Sequence, residues 1–446
     1  RMEHGEVVDW YVTFVNPGKA IPDDVAHLTN IHDEDVADAP SPDEALAGLV
    51  EFARDAKMVA HNADFDRTFT TRHPSGYPLL DNIWIDSLDL ARIALPRMRS
   101  HRLIDLVKAF GAPTSTHRAD DDVAATCALF RILLAAVHEM PPALVKCIAL
   151  LAPAEQWNTA VVFQHFAQSE AKPFSLKELR HESMTSYERR PRIDAKMIQA
   201  MEYPTAEDIA QAFSPTGIVG KLYDDFEPRE EQLTMAQEVR AAFEASENLV
   251  VEAGTGVGKS MAYLVPAVLM AKANNIAIGV ATKTNALLDQ LVYHELPALS
   301  QSLGDITYAP LKGFSHYPCL RKVNRFVKEG VKMVDVQGTK YSQAPSLGAL
   351  LSFIDQTDYD DMDSLKMDYR VVPRRAVTTT SHDCLRRKCP FFGTTCFVHG
   401  ARRFAETADV VVTNHTLLFC DAAADNGLLP PVRHWILDEA HGAEAE

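Results

Sequence analysis

The stretch Glu252-Ala253-Gly254-Thr255-Gly256-Val257-Gly258-Lys259-Ser260 decides the fold of the second half of this chain. It follows an apolar run, residues 248–253, and precedes a helical stretch, the context a phosphate-binding loop requires. Glycine at Gly254, Gly256 and Gly258, with Thr255 between, lets backbone N–H groups surround phosphates at a helix N-terminus. Lys259 can then reach the outer phosphates, and Ser260 can ligate Mg²⁺. The general consensus has glycine at the first position, where this chain has Ala253. Residues 248–253, 276–282, 409–413 and 435–438 are short apolar runs of the buried parallel-strand type and predict an α/β domain.

Downstream, Trp435-Ile436-Leu437-Asp438-Glu439-Ala440-His441 places two carboxylates straight after a strand. Asp438 is placed to hold magnesium and Glu439 to orient an attacking water. Alone, four such residues are a common solvated turn; together with Lys259 they read as an ATP site. Upstream, Phe226, Arg229 and Gln232 have the spacing of an adenine-reading element or of an ordinary amphipathic helix start. Thr282-Lys283-Thr284 with Leu287, Gln290 and Leu291, and then Thr413-Asn414-His415, fall at strand ends, where a motor contacts or couples to its strand.

The remaining composition narrows the class. A chain of 446 residues exceeds one ordinary core, so two or three domains are expected. No run approaches the roughly 18 apolar residues of a membrane span, and no signal-peptide pattern opens the chain, which reads as cytoplasmic with no membrane partner. The net charge of −17 excludes nucleic-acid binding over the whole surface and confines it to local basic sites. Seven cysteines point to a reducing compartment, where clustering suggests metal rather than disulfides.

Four of those cysteines, Cys319, Cys384, Cys389 and Cys396, lie within an insert expected over residues 313–403. Four thiolates suit a [4Fe-4S] cluster and equally a tetrahedral zinc, and ligand type does not choose between them. Cys127, Cys147 and Cys420 sit in apolar surroundings and read as core residues. Arg370, Arg374, Arg375, Arg386, Arg387 and Lys388 gather near the cysteines as a basic patch able to grip a single strand. The acidic residues Asp355, Asp358, Asp360, Asp361, Asp363 and Asp368 read as a solvated loop.

Residues 1–140 alternate strand and helix signals and read as a separate α/β domain. An apolar run at 7–15 ends at Asn16-Pro17-Gly18, and strands are expected near 58–60 and 83–85. Ser41-Pro42-Asp43-Glu44 is a capping box with proline at the first helical position. Leu103, Leu106, Val107 and Phe110 make one apolar stripe that Gly111 is placed to end. His61-Asn62-Ala63-Asp64-Phe65-Asp66 follows one strand, and His117-Arg118-Ala119-Asp120-Asp121-Asp122 opens a helix. Phosphodiester hydrolysis needs carboxylates that hold two metal ions, Mg²⁺ or Mn²⁺, and a base for water. Asp66 and Asp122 are the candidate ligands and His117 the candidate base. Residues 141–225, broken by prolines, read as a helical linker that includes a helix over 205–213.

Over residues 226–446 these runs resemble the superfamily 2 DNA helicases of the XPD and DinG type. The resemblance implies a RecA-like first motor domain, ATP-driven 5′ to 3′ movement on single-stranded or forked DNA, and an iron-sulfur subdomain within the insert, preceded by Lys312, Gly313 and Tyr317. Over residues 1–140 the chain resembles the DnaQ-like 3′ to 5′ exonucleases of the DEDDh group, with a ribonuclease H-like fold and Asp86-Ser87-Leu88 between its motifs. The expected whole is a fused exonuclease and helicase acting in DNA repair or recombination. Two departures qualify it: the exonuclease family's first acidic motif and a second RecA-like domain with its arginine finger are missing from this sequence. A fragment is therefore expected, binding ATP but hydrolysing it slowly and digesting no DNA by itself. Two other readings compete: an exonuclease regulated by a motor half that only binds ATP, and a non-catalytic DNA-binding nucleotide switch.

Overall fold

The computed structural model describes residues 1–112, 118–184, 198, 200–254, 256–304, 306–393, 395–423 and 428–445. Two units divide the chain, the first holding Arg1–Met184, Leu320–Asp358 and Met362–Val377, the second Thr185–Cys319, Tyr359–Asp361 and Thr378–Glu446. The middle of the cysteine-bearing insert thus groups with the N-terminal segment. No single helix among the described residues is long and apolar enough to cross a membrane.

In the first unit a small antiparallel hairpin pairs β1 (Met2–Glu3) with β2 (Glu6–Val7). The apolar run at 7–15 stops being a strand there. Val8, Trp10, Val12 and Phe14 stay exposed, because apolar composition favours a strand without supplying the ladder partner its backbone needs. The Ser41 cap forms as read. Glu44 N donates to Ser41 Oγ at 3.4 Å and Ser41 N donates to Glu44 Oε2 at 2.9 Å, fixing the start of the helix Pro42–Ala53.

β3 (Met58–Ala60) and β4 (Trp84–Asp86) pair in parallel, Met58 opposite Trp84 and Ala60 opposite Asp86. α1 (Ser87–Ala94) follows directly, capped by Asp86, which accepts from Leu88 N at 2.8 Å. The stripe at Leu106 and Val107 is fully buried, as are Leu129 and Leu133 on α2 (Ala119–His138), and Gly111 with φ +65° follows the end of the stripe's helix.

The helix Ala344–Gln356, from the insert, completes this core. It is buried on nearly all sides, and Gln356 Nε2 donates to Ala94 O at 3.1 Å. A Cβ at Gly348 would stand 3.2 Å from Ile93 Cδ1, so the missing side chain lets the two helices approach. The fully buried Arg180 ties the same helix to the linker by donating to Ile354 O and Thr357 O.

The second unit is built on a four-stranded sheet whose described pairings are all parallel. β5 (Ile278–Thr282), β6 (Tyr308–Pro310), β7 (Val410–Asn414) and β8 (His434–Leu437) run in the spatial order β8-β5-β7-β6. β5 is buried at every position, as a central parallel strand should be. α3 (Glu230–Ala245) and α4 (Lys259–Asn274) pack on one another and share the core with Val280, Val410 and Val412. Three of the four predicted strands form. The fourth does not: residues 248–253 have no strand assignment, and Val250 is 96% exposed. β6 takes up an edge position that no apolar run announced.

The acidic run is solvated only in part: Asp360 is exposed, whereas Asp361 is buried and Asp355, Asp358, Asp363 and Asp368 are half-buried. The Asp361 side chain, 4% exposed, lies 3.0 Å from Lys312 Nζ, while Asp363 pairs with Arg374 and Asp368 with Arg370. These three carboxylates leave water beside a cation, which is the condition for burying a charge, whereas Asp355, on the helix Ala344–Gln356, is pushed up to about 6 by burial and then by Glu182. The six basic residues expected as one patch divide between the units, Arg370, Arg374 and Arg375 in the first and Arg386, Arg387 and Lys388 in the second. Two of the six are already ion-paired.

Candidate functional site

The phosphate loop sits at the C-terminal ends of the parallel strands, where open α/β sheets bind ligands. Gly256 and Gly258 both have φ +83°, a conformation open to glycine and strained for other residues. A Cβ at Gly258 would lie 2.2 Å from Gln232 Nε2. That amide instead donates to Gly258 O at 2.9 Å, and the Arg229 guanidinium donates to Gly256 O. Arg229 and Gln232, whose spacing reads as an adenine-reading element or an amphipathic helix start, hold the loop backbone from the start of α3. Gly254 has open space around its Cα, and Thr255 lies outside the described residues.

Lys259, the first residue of α4, meets Glu439 Oε1 at 3.0 Å. The ammonium, first through this hydrogen bond and then through its charge, holds the Glu439 carboxyl below its usual range. Asp438 continues β8, its N–H donating to Ala281 O at 2.8 Å, and its Oδ2 accepts from Tyr263 Oη at 3.1 Å. Burial, then the charge of Asp438, keep the Tyr263 hydroxyl protonated well above the ordinary tyrosine range, and Ser260 also hydrogen-bonds it. Glu439 itself turns through φ +54°. Its other oxygen lies 3.3 Å from His441 Nδ1, and His441 Nε2 lies 3.4 Å from Lys283 Nζ. Loop, acidic motif and the strand end at Lys283 therefore form one polar chain.

Sequence reading missed Tyr263. Its only signal is the helical spacing of four residues from Lys259, which puts both on one face. Asn414, at the end of β7, donates to Asn285 Oδ1 at 2.8 Å, so the two strand-end motifs read as coupling elements do touch. His415 is fully buried.

Around the insert's cysteines, Cys396 is pushed up to about 11 by burial, with Cys319 and Cys384 close enough to raise it further. Cys384 Sγ lies 3.6 Å from His399 Nε2 and accepts from Arg386 N at 3.4 Å. Burial, then Arg402, Arg403 and Arg386, push the His399 imidazole down to about 4, so it is neutral at physiological pH. Arg402 is half-buried over the Phe314 ring, 4.8 Å from its centre, and its buried Nη2 has no hydrogen-bond partner among the described residues. Cys389 is half-buried. Among the described residues no three His, Cys, Asp or Glu side chains converge enough to hold one metal ion. A buried, partnerless Nη2 on a cation that the thiols of Cys384 and Cys396 act on nevertheless fits an anionic thiolate group. Cys147 is pushed up to about 12 by burial alone, in keeping with a core thiol, whereas Cys420, expected in the core, is exposed on the helix His415–Ala423.

In the first unit Asp66 sits on the helix Ala63–Thr70, its carboxyl raised by burial and then by Asp86. Asp86 accepts from Asn62 N at 3.0 Å and so joins the two motifs. Asp89, on α1, is raised to about 7, by burial first and Asp86 second, although about a fifth of its side chain remains accessible. His61 is fixed by Ser87 Oγ at 3.0 Å and His101 O at 2.8 Å and is lowered by burial. Asp122 lies in the first turn of α2. His117 lies outside the described residues. Two candidate ligands without a third convergent group do not make a two-metal site among the described residues, so no nuclease step is derived from this geometry.

Residues 1–130 match the RNase_T exonuclease family. The chain is 27% identical to the 3′-5′ exonuclease DinG of Bacillus subtilis, over 99% of this chain and 47% of that protein. It is 38% identical to the ATP-dependent helicase DinG of Mycobacterium tuberculosis over 48% of this chain and 34% of that protein. With the ATP-dependent DNA helicase YoaA of Haemophilus influenzae it shares 36% identity over 52% of this chain and 36% of that protein. The chain spans about a third to a half of the length of these curated relatives.

Proposed function

We propose that the chain is an exonuclease-helicase of the DinG type, the proteins it is similar to, and that its second unit is an ATP-driven motor on single-stranded or forked DNA. The observation that carries the reading is the meeting of Lys259 with Glu439 and of Tyr263 with Asp438 at the ends of a parallel sheet. ATP entering the loop takes Lys259 from Glu439 onto its outer phosphates. Glu439, released, orients the attacking water. Asp438 and Ser260 would hold the magnesium ion, which supplies charge neutralisation at the phosphates. Arg229 and Gln232 keep the loop open to backbone donation by holding its carbonyls.

Movement from 5′ to 3′, coupling to 3′ to 5′ digestion by the first unit, and a role in DNA repair belong to the same proposal. So does the assignment of Cys319, Cys384, Cys389 and Cys396 to a [4Fe-4S] cluster, which would serve as a structural and redox-sensitive element. Tetrahedral zinc is the alternative that ligand type leaves open, and the resemblance to the iron-sulfur helicases is what favours the cluster. Asp66 and Asp122 would hold divalent metal in the nuclease, with His117 as the base.

The test is ATP hydrolysis by the full-length protein with and without single-stranded DNA, beside its K259A variant. Stimulation that K259A removes supports the motor. Undiminished nuclease with no DNA-stimulated hydrolysis leaves a regulated exonuclease instead.

A further inference from the structure

Cys396, His399 and Arg402 recur at three-residue intervals along α5 (Phe397–Ala405) and its N-cap, so they share one side of the helix. On that side His399 Nε2 stands 3.6 Å from Cys384 Sγ, its ring 4.7 Å from Phe392 and 6.2 Å from Phe314. Phe314 in turn supports the Arg402 guanidinium. A buried guanidinium ordinarily finds a carboxylate. Here Nη2 has no partner among the described residues, and the acidic groups acting most strongly on Arg402 are Tyr317, Cys384 and Cys396. Neutral thiols do not compensate a buried cation. Thiolates ligating iron do, because ligation removes their protons and leaves the thiolate-ligated group net negative.

We propose that Arg402 is the counter-charge of the thiolate cluster, a positioning residue that sets how readily the cluster accepts an electron and how firmly it is retained. The inference rests on the cysteines' assignment to a [4Fe-4S] cluster. Reduction adds negative charge beside the guanidinium, so the cation favours the reduced form, as hydrogen bonding and local charge around cluster sulfurs generally do.

The experiment compares anaerobically purified wild-type, R402M, R402K and R403M chains for iron and sulfide content, visible spectrum and reduction potential. R402M is expected to shift the one-electron equilibrium about tenfold against the reduced form, equal to about 59 mV. R402K, which keeps the charge, moves it less, and R403M, one residue along the helix, leaves it near wild type. Should R402M fail to load iron, retention by R402K and loss by R402M carries the same conclusion. Equal loss in both variants, an unshifted R402M potential, or an equal shift in R403M overturns the role of Arg402 while leaving the cluster standing. A wild-type chain without iron and sulfide removes the cluster reading and this inference together.

Discussion

The Lys259 ammonium and the Glu439 carboxylate, 180 residues apart in sequence, stand 3.0 Å from each other. Each is therefore the other's partner until a nucleotide replaces it. K259A is expected to abolish ATP binding, whereas E439Q, which frees the lysine from a competing charge, keeps or raises affinity several-fold and loses turnover. Titration with a fluorescent ATP analogue and a phosphate-release assay separate the two. An E439Q variant that binds no ATP would contradict the role given to Glu439.

The loop clamp gives a second expectation. Loss of one neutral hydrogen bond is worth about 1 kcal/mol, so Q232A should weaken ATP binding by roughly three- to tenfold. G258A should do worse, since its methyl meets Gln232 at a φ of +83°. Calorimetric titration checks both, and Q232A with wild-type affinity would show that the clamp is incidental.

Lys312 is fully buried between Asp289 and Asp361, at 2.8 and 3.0 Å. Replacing it by methionine keeps the volume but removes the cation that neutralises a buried carboxylate, which costs about 3–5 kcal/mol. Urea unfolding of K312M measures the loss; K312M combined with D361N should recover part of it. A K312M chain as stable as wild type would mean the carboxylate takes up a proton without penalty.

Asp89 supplies the pH dependence. Its native value, near 7, lies above the ordinary carboxylate range, so the folded chain holds a proton that the unfolded chain has released. Stability is therefore lost as pH rises through that window. D89N mimics the protonated form, and its melting temperature should pull ahead of wild type between about pH 4 and pH 7 and run parallel above. A difference independent of pH would rule the titration out.

The phosphate loop, the acidic motif and the capping box were legible because each is a local pattern whose backbone need and residue type coincide. Glu44 reaches Ser41 as spacing requires, and Asp438 follows a strand directly, as its motif predicts. Long-range pairing was not legible. Nothing in the run 248–253 says that it stays exposed, and nothing beside Lys312 announces Asp361 as its partner. Spacing placed Arg229 and Gln232 near the loop, but their hydrogen bonds to the carbonyls of Gly256 and Gly258 are a long-range pairing that spacing does not give. Cys420 was judged by apolar neighbours in sequence, and its helix turns it outward.

The helix Ala344–Gln356 has a consequence for the order of assembly in the cell. It finishes a core begun by Ile93 and Ile148, yet it is translated well after them. At about 5–20 residues per second the ribosome takes on the order of ten seconds to deliver it. During that interval the segment that holds Ile93 and Ile148 has an open apolar face while the phosphate loop is being made, so a segment made earlier closes only after a later one has been delivered. A chaperone that covers this face during synthesis would act between the emergence of α1 and that of residue 356.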